Sequence, residues 1–500
     1  MDLGTYMNSD AIDLYSKLQK GDITSKDLVD LCFQQMEKVN PTLNAVIHQR
    51  KSDALDEATL NNMTGPFAGV PFLLKNISQG MEGEPLTSGT RLMEGVIAET
   101  DSHLVKKLRD AGFIMTGHTN VPEFALKNIT EPELYGPTRN PWNTEHSPGG
   151  SSGGAAAAIA SGIVPAAGAS DGGGSIRIPA SFTSLFGLKP TRGRTPVGPG
   201  AGRQWQGASI DFALTRSVRD SARLLDVLQV IQPEAAFQTP LYHGKYENIL
   251  GESFEEPLKI AYTTQSPVGT PVSADAERAI QRTVAWLEKQ GHSVHEVDNG
   301  VDGIELMKNY FLMNSGEVSN VVRQMEKAMG RELTAHDVEV ETWLLNVAGK
   351  SVPASEFSAS LASWDDATAT MEDLFQSYDF YLTPTTAYTA PKIGELTFSE
   401  QEQAQLISKI EKQQPQEQQA LIYDMFLPSL TYTPYTQLAN LTGQPAMSLP
   451  VYLSDDNLPL GVQVMASKGM EHRLLQLAAH VEQSDLWIGM EGNPYVTYPR

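Results

Sequence analysis

From Gly69 to Lys75 the chain reads Gly-Val-Pro-Phe-Leu-Leu-Lys, apolar or small at every position until the terminal lysine. Short apolar runs bounded by glycine read as fully buried strands. Phe113-Ile114-Met115, Ile163-Val164-Pro165-Ala166-Ala167, Leu185-Phe186-Gly187-Leu188, Leu258 to Tyr262 and Tyr378 to Leu382 repeat the pattern. Between them the apolar spacing turns helical. Ile23-Thr24-Ser25-Lys26-Asp27-Leu28 holds a capping box (Thr24 with Asp27) and a staple (Ile23 with Leu28), opening a helix toward Asn40. Thr100 or Asp101 is expected to cap a helix ending near Gly112, and another helix is predicted from about Ala274 to Gln290. This alternation predicts an α/β protein, a sheet with helices on its faces.

Two stretches break the pattern. Ser399 to Gln419 is rich in Glu and Gln with little apolar periodicity, and is expected to be an exposed helix or a mobile segment. Gln232 to Pro257 reads as a long connection, and no internal repeat is visible. No apolar run reaches the roughly 18 residues a membrane span needs.

Composition narrows the partners. Thirty-seven basic and sixty acidic residues leave a net charge of −23, which disfavours nucleic acid or an anionic membrane and favours a small-molecule substrate. Cys32, the single cysteine, lies among Leu28, Val29, Leu31 and Met36 and is expected in the core, so no disulfide within the chain is possible. Met1-Asp2-Leu3-Gly4 shows no basic stretch and no apolar segment follows, so the expected location is cytoplasmic. The sequence leaves a homodimer open.

Candidate chemistry lies in two glycine-framed serines. Ser151 stands in Pro148-Gly149-Gly150-Ser151-Ser152-Gly153-Gly154 and Ser175 in Asp171-Gly172-Gly173-Gly174-Ser175-Ile176-Arg177. Glycine permits positive φ and close backbone approach, so a serine ending such a turn can sit beside a row of outward N–H groups. An acyl-transfer nucleophile needs that geometry. Gly/Ser runs are usually linkers, but this one carries no charge from Ser147 to Ser170 and includes Ala155 to Ile159 and Ala160, a buried helix by composition.

A serine nucleophile needs a base. None of the ten histidines has a triad-like context. His292-Ser293-Val294-His295 alternates like an exposed strand and lacks further ligands, so no metal is expected. Lys75 is the better base: at the end of an apolar run, desolvation would lower its pKa from about 10.4 toward the range useful for proton transfer. The competing reading is a strand-end lysine reaching water.

Pro137-Thr138-Arg139-Asn140-Pro141-Trp142-Asn143, Gly187-Leu188-Lys189-Pro190, Gly443-Gln444-Pro445-Ala446-Met447-Ser448-Leu449-Pro450 and Leu458 to Gln463 complete a set of motifs. Together with the lysine strand and the two serine turns, the chain resembles the amidase signature family across roughly residues 10 to 485. Thr130-Glu131-Pro132-Glu133 most resembles the bacterial branch containing 6-aminohexanoate cyclic-dimer hydrolase. The resemblance implies a mixed central β-sheet covered by helices on both faces, in a single domain spanning 1–500. Its core motifs would occupy 65–195, a variable substrate-shaping region about 232–435, and a return to the core 436–485.

The resemblance further implies a Ser-Ser-Lys triad with no cofactor. Ser175 would be the nucleophile, Ser151 the proton relay after a cis peptide bond, and Lys75 the base. The N–H groups of Gly172, Gly173, Gly174 and Ser175 would form the oxyanion hole, with Asp171 and Arg177 bracing the turn. The pocket is expected from Val121 to Tyr135 and parts of Met307 to Tyr435, with Leu126 and Ser170 on its wall. Phe124, Tyr135 and Trp343 suit an apolar amide or the core. The chain departs from the family at Asn76, usually Asp; at Gly172, often Thr; and at Ala155, often Ser.

The expected function is therefore hydrolysis of an aryl, aliphatic or oligo-amide through an acyl-enzyme. The alternative is the glutaminase subunit of a tRNA-dependent amidotransferase; a binding protein that has lost catalysis is a third reading. Gly149 to Gly153 also satisfies G-x-S-x-G, which would make Ser151 a nucleophile, but that elbow needs a preceding strand and Trp142 to Pro148 is none.

Overall fold

A computed structural model describes residues 1–60 and 64–496 of the 500, so residues 61–63 and 497–500 of the expected span lie outside the described ones. Eleven strands are β1 (Val46–Gln49), β2 (Pro71–Lys75), β3 (Ile114–Thr119), β4 (Ala166–Asp171), β5 (Phe186–Lys189), β6 (Ile210–Thr215), β7 (Lys259–Tyr262), β8 (Ser293–Glu296), β9 (Phe380–Pro384), β10 (Ala446–Leu453) and β11 (Pro459–Met465). They join in one sheet among the described residues, ordered β1-β3-β2-β4-β6-β5-β10-β11-β9-β7-β8. β2 runs parallel to β3 and β4, and β7 parallel to β8 and β9, while β4/β6, β5/β6, β5/β10, β10/β11 and β9/β11 are antiparallel. The sheet is thus mixed and covered by helices, as the alternation and the resemblance implied.

Local rules explain many elements. The Thr24–Asp27 capping box opens the helix Ser25–Leu43, which buries Leu28, Val29, Cys32 and Met36 on one face. The helix Gly153–Ala160 is buried at every position; with only glycine, alanine and one isoleucine, it packs close to the sheet. β2 is buried throughout, and β8, holding His295, is a largely exposed edge.

Other expectations shift. Ser102, not Thr100 or Asp101, caps the helix His103–Asp110, because its side chain accepts the Val105 N–H; Asp101 instead receives Arg109 and the Glu82 N–H. Ser399 to Gln419 follows the exposed-helix alternative rather than the mobile one. It forms the helix Glu400–Ile410, opened by a Ser399–Glu402 capping box, and the start of the helix Pro415–Tyr432. These helices bury Ile410, Leu421, Ile422 and Met425 in a second apolar cluster with Phe311, Leu344 and Leu345. The 232–435 stretch also supplies β7, β8 and β9 to the main sheet, so part of it is core, while its helices Gly303–Met329 and Pro415–Tyr432 stand over the site.

Candidate active site

Lys75 ends β2 with its side chain wholly enclosed. Its Nζ lies 2.8 Å from Ser151 Oγ and 2.8 Å from Ser170 Oγ. Burial pushes the ammonium down to about 7, against the opposing pull of Asp211 and Asp171. The reading of Lys75 as a strand-end lysine reaching water is thereby overturned: the apolar run leads inward. Asn76, where the family usually has Asp, points elsewhere, accepting from the Thr87 N–H and hydroxyl and donating to the Pro85 carbonyl.

The Gly150–Ser151 peptide is cis, as the resemblance implied. Ser151 follows a loop rather than a strand, which removes the G-x-S-x-G elbow reading. Ser151 and Ser175 line one cavity, without a hydrogen bond joining their hydroxyls.

Asp171 closes β4 and organises the following turn. Arg177 meets it with two hydrogen bonds, Nε–Oδ2 and Nη2–Oδ1, both 2.9 Å, with both side chains fully buried. Burial alone would raise the Asp171 pKa, yet Arg177 and Asn440 hold it down to about 2. Arg177 reaches on to Gln463 Oε1, Asn440 Oδ1 and the Thr436 carbonyl, tying the turn to distant segments.

The expected row of N–H donors needs one correction. The Gly174 N–H donates to Asp171 Oδ1 at 2.7 Å, so it is occupied by the turn's own carboxylate. No group among the described residues engages the N–H of Gly172, Gly173 or Ser175. The row therefore shortens to these three.

A cavity of about 410 Å³ opens over Ser151, Ser170, Gly172, Gly173 and Ser175. Leu126 and Ser170 both line it, although Ser170 faces Lys75 as well. Phe124 lines it too, whereas Tyr135 and Trp343 do not; Tyr135 donates to Thr87 and Trp343 packs in the second cluster. Met307, Tyr310, Phe311, Phe426 and Leu430 line it from within the expected Met307 to Tyr435 region, whereas Ile178 and Trp205 are walls that lay outside both expected segments. Met307, Tyr310 and Phe311 come from the helix Gly303–Met329, and Phe426 and Leu430 from its neighbour Pro415–Tyr432, the two helices meeting in the stacked Phe311–Phe426 pair. Asp211 was missed as well: buried on β6, it accepts from Ser78 and Gln204 beneath the lysine. Among the described residues no helix is long and apolar enough to cross a membrane, and no cluster of three metal-ligating side chains occurs.

This arrangement of buried lysine, glycine-framed serines and mixed sheet is that of a known class. The chain belongs to the Amidase family of amide-hydrolysing enzymes, whose profile matches residues 27–475. It is 41% identical to a lipoamidase from Enterococcus faecalis over 96% of this chain, and spans 64% of that protein's length. It is 34% identical to the 6-aminohexanoate-cyclic-dimer hydrolase of Paenarthrobacter ureafaciens, over 94% of each. A structure of 6-aminohexanoate cyclic dimer hydrolase complexed with substrate superposes with a TM-score of 0.89 at 32% identity, covering 99% of this chain and all of that one.

Proposed function

We propose that this chain is an amidohydrolase that cleaves a carboxylic amide through an acyl-enzyme on Ser175. The observation that carries the reading is the buried contact between Lys75 Nζ and Ser151 Oγ, 2.8 Å long, with Ser151 and Ser175 lining the same cavity. A lysine with pKa about 7 is substantially neutral at physiological pH and accepts a proton. Ser175 Oγ attacks the carbonyl carbon while its proton passes through Ser151 to Lys75. The N–H groups of Gly172, Gly173 and Ser175 stabilise the oxyanion, where loss of one donor typically costs about 2.7–4 kcal/mol. Lys75 returns the proton through Ser151 to the departing amine. Water then attacks the acyl ester by the same route, and no cofactor is required.

An apolar cavity walled by Leu126, Met307, Phe311, Phe426 and Leu430 suits an alkyl or oligo-amide substrate better than glutamine. The relatives agree in kind, one a lipoamidase and one a 6-aminohexanoate-cyclic-dimer hydrolase. The test is a panel of lipoamide, linear and cyclic 6-aminohexanoate oligomers, an aliphatic amide, an aryl acylamide and glutamine, each against Ser175→Ala. Turnover of the apolar amides that vanishes in the variant supports the reading. Full activity in Ser175→Ala rejects it, and turnover of glutamine alone moves the function to an amidotransferase subunit.

A further inference from the structure

Three peptide planes of the turn after β4 are gripped on their carbonyl side by residues from far along the chain. Asn440 Nδ2 donates to the Asp171 carbonyl at 2.9 Å, the Tyr310 hydroxyl to the Gly172 carbonyl at 3.0 Å, and the Thr436 hydroxyl to the Gly173 carbonyl at 2.6 Å. In a trans peptide the C=O of one residue and the N–H of the next point in opposite directions. Holding a carbonyl therefore aims the following N–H.

The three planes are not held equally. The plane ending in Gly174 is fixed at both ends, by Thr436 on its carbonyl and Asp171 on its N–H. The plane ending in Gly172 begins in β4, where Asp171 pairs with Ile210. The plane between Gly172 and Gly173 has glycine on both sides, the residue with least resistance to backbone rotation. Its N–H has no partner, and its carbonyl has Tyr310.

We infer that Tyr310 is a positioning residue for amide cleavage: its hydroxyl holds the Gly172 carbonyl so that the Gly173 N–H is presented to the substrate's carbonyl oxygen. The inference rests on the acyl-enzyme reading of Ser175. The fit is close, since a Cβ built on Gly173 would stand 3.0 Å from the Tyr310 oxygen, so glycine is what lets the hydroxyl approach. Burial raises the Tyr310 pKa to about 12, so the hydroxyl keeps its proton and donates throughout the neutral range. Asn314, one helical turn on, takes the Trp205 indole N–H at 2.6 Å and fixes the ring's surroundings. Tyr310 also lines the cavity, so one side chain touches both the acyl-binding space and the donor turn.

Tyr310→Phe removes one oxygen and tests this. Complete loss of an oxyanion donor typically lowers kcat about 10²–10³-fold; a donor released rather than deleted should lower it roughly tenfold, with KM within about twofold. The second readout is the carbonyl stretch of a slowly hydrolysed, isotope-labelled acyl group on Ser175, followed by infrared difference spectroscopy. It should move to higher frequency in Tyr310→Phe, because a weaker donor polarises the carbonyl less; a packing role alone would leave it unmoved. A kcat within twofold of the parent, or an unmoved stretch, overturns the inference. If the variant does not fold, 3-fluorotyrosine at position 310 keeps the shape with a more acidic hydroxyl. The stretch should then shift to lower frequency, and no shift overturns the inference. Failure of the parent enzyme to form any acyl-Ser175 would instead defeat the acyl-enzyme reading on which the inference stands.

Discussion

Lys75 Nζ stands 2.8 Å from the Ser170 hydroxyl and 2.8 Å from the Ser151 hydroxyl, so one buried amine is held between a serine of β4 and a serine of the loop before the helix Gly153–Ala160. Ser151 is the relay in the proposed mechanism, whereas Ser170 lies within β4 and accepts a hydrogen bond from the lysine. The two contacts therefore have different consequences when lost.

The pH profile should show the lysine first. In the proposed mechanism neutral Lys75 is the working form, so kcat/KM should be low in acid and rise to a plateau as pH passes about 7, where burial has placed its pKa. Lys75→Met should cost about 10²–10⁴ in kcat. A profile flat from pH 5.5 to 8.5 would contradict this.

Ser170→Ala should act more gently. A hydrogen bond accepted from Lys75 favours the charged lysine, so removing it lowers the lysine pKa and moves the acid limb to lower pH. The expected result is roughly tenfold lower kcat with that shift. A limb displaced upward would reverse the assigned donor and acceptor.

The Asp171–Arg177 pair sets stability. Arg177→Met leaves a fully buried carboxylate without its cation, and breaking such a pair costs about 3–5 kcal/mol. Urea denaturation should show a loss of that order together with loss of activity. A midpoint unchanged from the parent would mean that the turn does not depend on the pair.

Gly174 tolerates no side chain. Its φ is +130°, and a Cβ there would meet Thr436 Oγ1 at 2.2 Å and Thr436 Cβ at 2.6 Å. Gly174→Ala should abolish detectable turnover, and pairing it with Thr436→Gly should not restore it fully, because the positive φ remains strained. Full rescue by that second change would show that only space matters.

Leu126→Trp should fill part of the cavity. KM for long aliphatic amides should rise about tenfold or more while short amides are little affected, as expected when only the wall of an apolar pocket changes. Equal effects on both would place Leu126 against the scissile amide instead.

Much of this protein was legible in the linear chain because its determinants are local. The apolar run ending in Lys75, the Thr24 capping box and the glycines around Ser151 and Ser175 each act within a few residues, through strand burial, end capping and turn conformation. The motifs carrying the family resemblance also lie in such short segments. Where local signals competed, placement went wrong by a residue or two, as when Ser102 took the cap expected at Thr100 or Asp101. The tertiary structure decided what depends on contact between distant segments. Tyr310 meets Gly172, Thr436 meets Gly173, and Asn440 meets Asp171 only after the chain returns over the sheet. Helices after Ser399 look too polar to be buried until their sparse apolar residues find Phe311 and Leu344. The choice of Asp171 as partner for the Gly174 N–H likewise emerges from the turn's three-dimensional closure. Sequence periodicity reports which face of an element is apolar, but not which distant side chain will complete a hydrogen bond there.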